Sequence, residues 1–449
     1  HSCELLAIEK DSKDEPNRSI KGENTMIRFL IKGLVRDKSR SRLPIIVVAI
    51  GVMLTVFLNA YITGFMGDTI EMNARFANGH LKVMTRAYAD NVAQIPNDLA
   101  LTGTTVLREK LSRRFPGISW SPRIQFGGLL DVPDEAGETR SQGPASGMGV
   151  DLLTPGSGEA ERLNIASSIV RGRMIRKPGE LLLAEELSRK LGVSPGDEVT
   201  LIGSTMYGSL SMVNFRVAGT LSFGVEAMDR SSLIADIEDV RLALDMQDAA
   251  GELIGLFDTG YYDDEGADEI AQQFNTLYDG DEDPFAPVMK PLTEQGSMGQ
   301  LVAMMDLWTV YISGIFVLAM ALVLWNAGLL GGLRRYGEFG VRLAMGEEKG
   351  HLYRTLIWES CFIGIAGAVA GTAVGLFFAA LVQRVGINIS GMMEGASMMY
   401  PSTIRTRITP TDYYIGFIPG LISTVVGAML AGIGIYRRKT SQLFKELEA

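Results

Sequence analysis

"LWTVYISGIFVLAMALVLWNAGLLGGLRRYGEFGVRLAMGEEKG", residues 307–350, changes character part-way along. Its first 27 residues, to Leu333, carry no charge, and roughly 20 apolar residues suffice to cross a bilayer as a helix. The next 17 hold seven charged residues and four glycines, enough for a short helix and a stop. Three other runs are comparably long and apolar: LPIIVVAIGVMLTVFLNAYITGFM from Leu43, IWESCFIGIAGAVAGTAVGLFFAALV from Ile357, and YYIGFIPGLISTVVGAMLAGIGIY from Tyr413. The first is too long and too central for a signal-peptide core, and no small-residue cleavage site follows it. The chain reads as an integral membrane protein with spans at 43–66, 302–333, 351–382 and 412–436. A mean hydropathy of only +0.16 hides this, because the apolar residues are segregated.

Basic residues orient the spans. Arg28, Lys32, Arg36, Lys38, Arg40 and Arg42 precede span one, opposed by Asp37 alone. Arg334, Arg335, Arg342, Lys349 and Arg354 flank the connection from span two to span three, and Arg437, Arg438 and Lys439 follow span four. Such clusters mark the cytoplasmic side. They predict both termini and 334–350 inside, with residues 67–301 and the 383–411 loop outside. The stretch 67–301 holds 36 acidic against 20 basic residues and accounts for the net charge of −10, so no nucleic-acid partner is expected.

Residues 1–25 are polar and patternless and are read as a tag, a misassigned start or a disordered tail. From Met26, apolar and basic residues interleave to Arg42 as in an interfacial amphipathic helix; a plain basic stop flank is the alternative. Residues 437–449 form a cytoplasmic tail. Cys3 and Cys361 leave the outer region without cysteine. That region alternates strand and helix signals. "GELLLAEELSRKLGVSPGDEVTLIG" (179–203) reads as a strand, a helix from Glu185 to Leu191, a Pro-Gly-Asp turn and a strand. A strand–helix pair follows in "SSLIADIEDVRLALDM", and a helix is expected over 104–115. Residues 131–160, rich in Gly, Pro, Ser and acids, read as a loop or a subdomain junction. The expected fold class is four transmembrane helices with a large, two-subdomain α+β domain between the first and second.

Catalytic signatures are absent. There is no phosphate-binding G-x-x-x-x-G-K-S/T and no G-x-S-x-G elbow. The three histidines, His1, His80 and His351, are not spaced as metal ligands, and "DGDEDP" (279–284) lacks the distal Glu of a calcium loop. Among the spans' residues, Glu359 is an acid near the inner end of the third. A proton relay or a structural pair with a neighbour such as Arg354 are the two readings. In 334–350, Phe339, Leu343 and Ala344 fall on one helical face, with Arg334, Arg335, Glu338 and Arg342 on another, and Glu338–Arg342 as an i,i+4 pair. Gly346 is a helix stop. Such a helix could receive a push from a soluble motor or merely reverse the chain.

"RRYGEFGVRLAMGEEKGHLYRTLIWES" resembles the signature of FtsX/MacB-type (type VII, mechanotransmission) ABC transporter permeases. Arg334, Arg335, Glu338, Phe339, Gly340, Arg342, Ala344, Gly346 and Glu359 fall on matching positions, while Val341, Leu343, Met345 and Glu347 depart mildly from the usual "LRALGA" pattern. The architecture is closest to the lipoprotein-releasing type. The resemblance implies that Arg334, Arg335, Glu338, Phe339, Gly340, Arg342, Leu343 and Gly346 contact a separate cytoplasmic ATP-binding subunit. That subunit would hold ATP and Mg, and this chain no cofactor or metal. It further implies pairing with a second copy or a paralogue in a bacterial inner membrane, and extraction of lipoproteins or other hydrophobic cargo with membrane lipids at hand. A cavity bordered by Asn59, Phe65, Met66, Met304 and Leu307 is expected for the cargo, with a periplasmic chaperone or adaptor as a further partner. Met392, Met393, Met398 and Met399 suit acyl chains or simple packing. The alternatives are tripartite efflux with an adaptor and a non-transporting module that activates a cell-wall hydrolase.

Overall fold

The structure is a computed structural model that describes residues 38–280, 282–333, 335–388 and 403–437, without the side chains of 38–41 and 434–437. Most of the expected interfacial helix, the four loop methionines, Arg334 and the tail from Arg438 lie outside the described residues.

In chain order, the first long helix is α1 (Lys38–Asn73). The sheet-forming region then runs β1 (Leu81–Thr85), α2 (Thr104–Arg114), β2 (Ile118–Pro133), β3 (Thr139–Val150), β4 (Ile169–Gly172), β5 (Glu180–Ala184), α3 (Glu185–Leu191), β6 (Glu198–Ser204), β7 (Leu210–Leu221), β8 (Ser232–Asp236), α4 (Ile237–Leu244), β9 (Glu252–Phe257), α5 (Asp264–Asn275) and β10 (Pro287–Pro291). Four helices close the order: α6 (Met298–Leu333), α7 (Tyr336–Ala344), α8 (Lys349–Val385) and α9 (Thr424–Arg437). Two compact units result. One contains residues up to Gly64, Trp308–Val385 and Thr406 onward; the other contains Phe65–Leu307 and Gly386–Arg405.

The α/β unit is built on a ten-stranded mixed sheet ordered β10-β1-β9-β2-β3-β8-β5-β7-β4, with β6 paired to both β2 and β7. Two apolar cores share it. In one, Leu81, Val83, Trp120 and Leu253 pack beneath Leu111 of α2 and Ala267, Ala271 and Phe274 of α5. In the other, Leu181, Leu182, Leu183, Val217 and Ile234 meet Leu187 of α3 and Val240 and Leu244 of α4.

The β5–α3–β6 segment and the 104–114 helix lie where periodicity and turn chemistry place them. Residues 131–150 do not form the expected loop: they complete the β2–β3 hairpin, closed by the Asp134 carboxylate, which accepts from the Ala136 and Glu138 amides at 2.9 Å. The glycines that suggested a loop serve close approach instead. A Cβ on Gly147 would lie 2.0 Å from the Phe126 ring, and one on Gly149 3.0 Å from Val240.

In the helical unit, α1, α6, α8 and the segment Pro410–Ile433 are long and apolar enough to cross a membrane. Gly367, Gly371 and Gly375, one turn apart on α8, face Val48, Val52 and Val56, one turn apart on α1. A Cβ at each glycine would fall 2.6, 2.7 and 3.0 Å from the facing valine's Cβ. Small residues let helix backbones meet where lipid supplies no hydrophobic drive. The last crossing segment is irregular at Ile418–Ser423, where Pro419 lacks a donor and the chain makes a wide turn before α9.

Gly371→Leu overpacks the α1–α8 seam at a cost of about 1–3 kcal/mol and should lower the thermal unfolding midpoint in detergent. Gly314→Ala, where a Cβ would meet nothing within 4 Å, should leave it unchanged. In the α/β unit, hydrogen bonds from Arg173 hold the Glu180 carboxyl down at about 2 against an ordinary 4.5. That stabilisation is complete above pH 4.5 and is lost as pH falls toward 2; Glu180→Gln should flatten this part of a denaturation-versus-pH profile.

Candidate functional site

α7 is only nine residues long, too short to stand alone in water. Its stability comes from docking within the helical unit. Tyr336, Gly337, Phe339 and Gly340 form its buried face, with Leu343 partly covered. Tyr336 and Phe339 pack with Leu352 and Leu356 of α8 and Ala428 of α9. The Tyr336 hydroxyl donates to the Ala431 carbonyl at 2.6 Å. Just before α7, the Arg335 guanidinium donates to the carboxylate of Glu359 on α8 and lies 3.8 Å from that of Glu338.

The helix ends in a Schellman arrangement. Gly346, at φ +96°, lets its own amide reach the Leu343 carbonyl at 3.1 Å and the Glu347 amide reach that of Arg342 at 3.1 Å. Glu347 then gathers the turn, accepting two bonds from Arg342 at 2.7 and 3.0 Å and lying 2.7 Å from Nδ1 of His351. Desolvation alone would raise the Glu347 carboxyl, but the bonds from His351 and Arg342 outweigh it and hold it below the usual range. Away from α8 and α9, Val341 and Met345 are 40% and 75% exposed, and Ala344 is exposed beside them. A helix fastened on one face and presenting an apolar tip on the other can pass displacement to α8 and α9.

Of the residues expected to contact a partner, Phe339 and Gly340 are buried and Leu343 is half-buried, while Arg335 is turned to Glu359. The expected Glu338–Arg342 pairing is replaced: Arg342 holds Glu347, and Glu338 is drawn to Arg335. Ala344 lies outside the apolar face assigned to it, because Tyr336 sets the stripe as 336–339–340–343. Sequence reading gave Tyr336, Glu347 and His351 no role in this helix. The aromatic three residues before Phe339 was the available signal. Arg334 lies outside the described residues.

Among the expected cavity residues, Asn59 is buried in the helical unit. Its amide donates to Asp412 at 2.8 Å, and Asp412 also accepts from the Thr409 amide and hydroxyl at 2.7 and 3.0 Å. Phe65, Met66, Met304 and Leu307 belong to the other unit, where Phe65, Met304 and Leu307 are 42%, 49% and 57% exposed. Among the described residues, no group of three or more His, Cys, Asp or Glu side chains could hold a metal.

Residues 310–440 match the family described as FtsX-like permease C-terminal. The lipoprotein-releasing system transmembrane protein LolC of Xylella fastidiosa strain Temecula1 is 24% identical over 254 residues, covering 54% of this chain and 56% of that protein. An uncharacterised ABC transporter permease of Methanocaldococcus jannaschii is 23% identical over 224 residues, covering 50% of this chain and 55% of that protein. The chain thus spans about half the length of the curated relatives it matches. The periplasmic region of MacB from Actinobacillus actinomycetemcomitans aligns in structure with a TM-score of 0.32 at 15% identity, covering 47% of this chain and 87% of that one.

A charge-assisted hydrogen bond is worth about 1.5–3 kcal/mol. Glu359→Gln should therefore raise amide exchange of residues 336–344 by roughly tenfold in hydrogen-exchange mass spectrometry, and exchanging the two residues (Arg335→Glu with Glu359→Arg) should restore protection.

Proposed function

We propose, for a chain whose residues 310–440 match the FtsX-like permease C-terminal family, the role of membrane subunit in an ABC transporter driven by a separate cytoplasmic ATP-binding subunit. The observation that carries this reading is α7, fastened to α8 and α9 through Tyr336, Phe339 and the Arg335–Glu359 pair while Val341 and Met345 stay uncovered. ATP and Mg are held by the partner, whose closure displaces α7. No phosphate-binding loop in this sequence competes for that role.

The chain lies in the bacterial cytoplasmic membrane with α7 and both termini inside and the α/β unit outside, on the strength of its basic flanks. A second copy or a paralogue completes the assembly. Along α6, Trp308, Tyr311, Ile315 and Leu318 are more than half exposed, a surface suited to lipid and to that second subunit. The cargo is hydrophobic, a lipoprotein or similar molecule drawn from the outer leaflet, and meets Phe65, Met66, Met304 and Leu307. Distant similarity to LolC supports this choice.

Purification from host membranes in mild detergent, followed by mass spectrometry, should recover an ABC ATP-binding subunit together with an acylated protein. Recovery of the ATPase with a cell-wall hydrolase or an adaptor, and no lipidated client, would overturn the extraction reading. Met345→Glu places a charge on the exposed tip and should lower ATPase recovery at least about tenfold, as expected of a hot-spot residue, without changing the permease yield.

A further inference from the structure

We infer that Arg123 and Lys82, aided by His80, are positioning residues that couple the end of α1 to strands β1 and β2 of the α/β unit. The inference rests on the ATPase-driven reading proposed above.

From Phe65 onward, α1 belongs to the α/β unit. It ends in a wide turn, Ala74–Asn78, closed by the Gly79 amide on the Ala74 carbonyl at 2.6 Å. Gly79 sits at φ +71°, and a Cβ there would lie 2.4 Å from Ile254, so the turn admits no side chain at this position. The last carbonyls of a helix lack partners within it. Here three in succession are taken by side chains from the sheet. Arg123 of β2 donates to the carbonyls of Phe76 and, at 2.8 Å, Arg75, while Lys82 of β1 reaches that of Ala77 at 3.3 Å. Both cations are buried, and each has a buried counter-charge: Glu159 lies 3.1 Å from Arg123 and Glu252 2.9 Å from Lys82.

One turn earlier, Glu71 accepts from Arg75 at 2.7 Å and from Nε2 of His80 at 2.8 Å. Nδ1 of His80 accepts from the Phe257 amide at 3.0 Å, so the ring proton sits on Nε2 and points at Glu71. The His80 carbonyl in turn accepts from the Leu292 amide at 3.0 Å. Ala74, Ile254, Leu256, Leu292 and Met298 form one buried cluster with Ile70 and Leu301. The end of α1 and the start of α6 are therefore packed in one cluster on strand β9.

Packing alone does not call for these charges, since replacing a buried ion pair by apolar side chains of similar volume is often neutral or stabilising. What directional bonds add is resistance to sliding. N–H to carbonyl bonds cluster at about 2.7–3.2 Å, so an axial shift of roughly an ångström breaks one, whereas apolar surfaces slip past each other. Three bonded carbonyls in a row turn a pull on α1 into a displacement of β1 and β2.

The test uses the full chain in lipid nanodiscs with the ATP-binding subunit that co-purifies, followed by hydrogen-exchange mass spectrometry with and without ATP and orthovanadate. In the wild type, exchange should change both at 336–352 and at 118–124 with 252–257. Arg123→Lys keeps the charge but not the fork. Lys82→Met with Glu252→Gln removes one bond and strands no charge. In both variants the response at 336–352 should persist, while that at 118–124 and 252–257 falls about fivefold or more. ATP turnover should stay within roughly twofold, and β5 and β8 should exchange as in the wild type without ATP. If Arg123→Lys raises exchange in β5 and β8, the double variant decides. Undiminished responses at 118–124 in a folded variant overturn this inference alone. A wild type silent at 336–352 overturns the docking of the ATPase, and this inference with it.

Discussion

A helix stops with unpaired carbonyls, and whichever group takes them fixes that ending against its neighbours. The turn after α1 gives its carbonyls at Arg75, Phe76 and Ala77 to Arg123 and Lys82. The end of α7 uses the left-handed Gly346 to fold its amides back onto Arg342 and Leu343. The segment leading into the last crossing begins with Asp412 accepting from Thr409 and from Asn59 of α1. At these three places the chain is tied by directional bonds, and those ties join the elements on either side.

Within the helical unit, the seam between α1 and α8 has little slack, because three glycines admit three valines in register. α7 adds its own fastening through Tyr336 to α9 and through Arg335 to α8. A displacement of α7 therefore has no soft element to absorb it before reaching α8 and α9. Polar pairs at such a place are better understood as fixing geometry than as adding stability, since partly buried pairs repay desolvation only when well aligned. The bidentate grip of Arg342 on Glu347 is aligned in that way.

Much of this fold is legible in the chain. Uncharged runs of sufficient length announce four membrane helices, and "GELLLAEELSRKLGVSPGDEVTLIG" announces its strands, helix and turn through alternation, a Pro-Gly-Asp break and a helix-compatible middle. The β3 strand was hidden because Gly147 and Gly149 look like loop residues until Phe126 and Val240 are placed against them. The candidate site was legible as a location and misread in detail. A short helix between two spans is a matter of composition, but which of its faces is buried depends on where α8 and α9 run. Tyr336 acquired its role through Ala431, and Glu347 through Arg342 and His351.

Sequence alone determined the number of the long apolar helices, the polar break at 334–350 and the want of a phosphate-binding loop, because each depends on residues adjacent in the chain. The distant partners of three charges were decided by the tertiary structure. Arg335 finds Glu359 24 positions away, Arg123 finds Glu159 36 away and Lys82 finds Glu252 170 away. Coulomb attraction and hydrogen bonding act over a few ångströms of space, whatever the distance along the chain, and only the folded sheet and the packed helices bring those groups within reach.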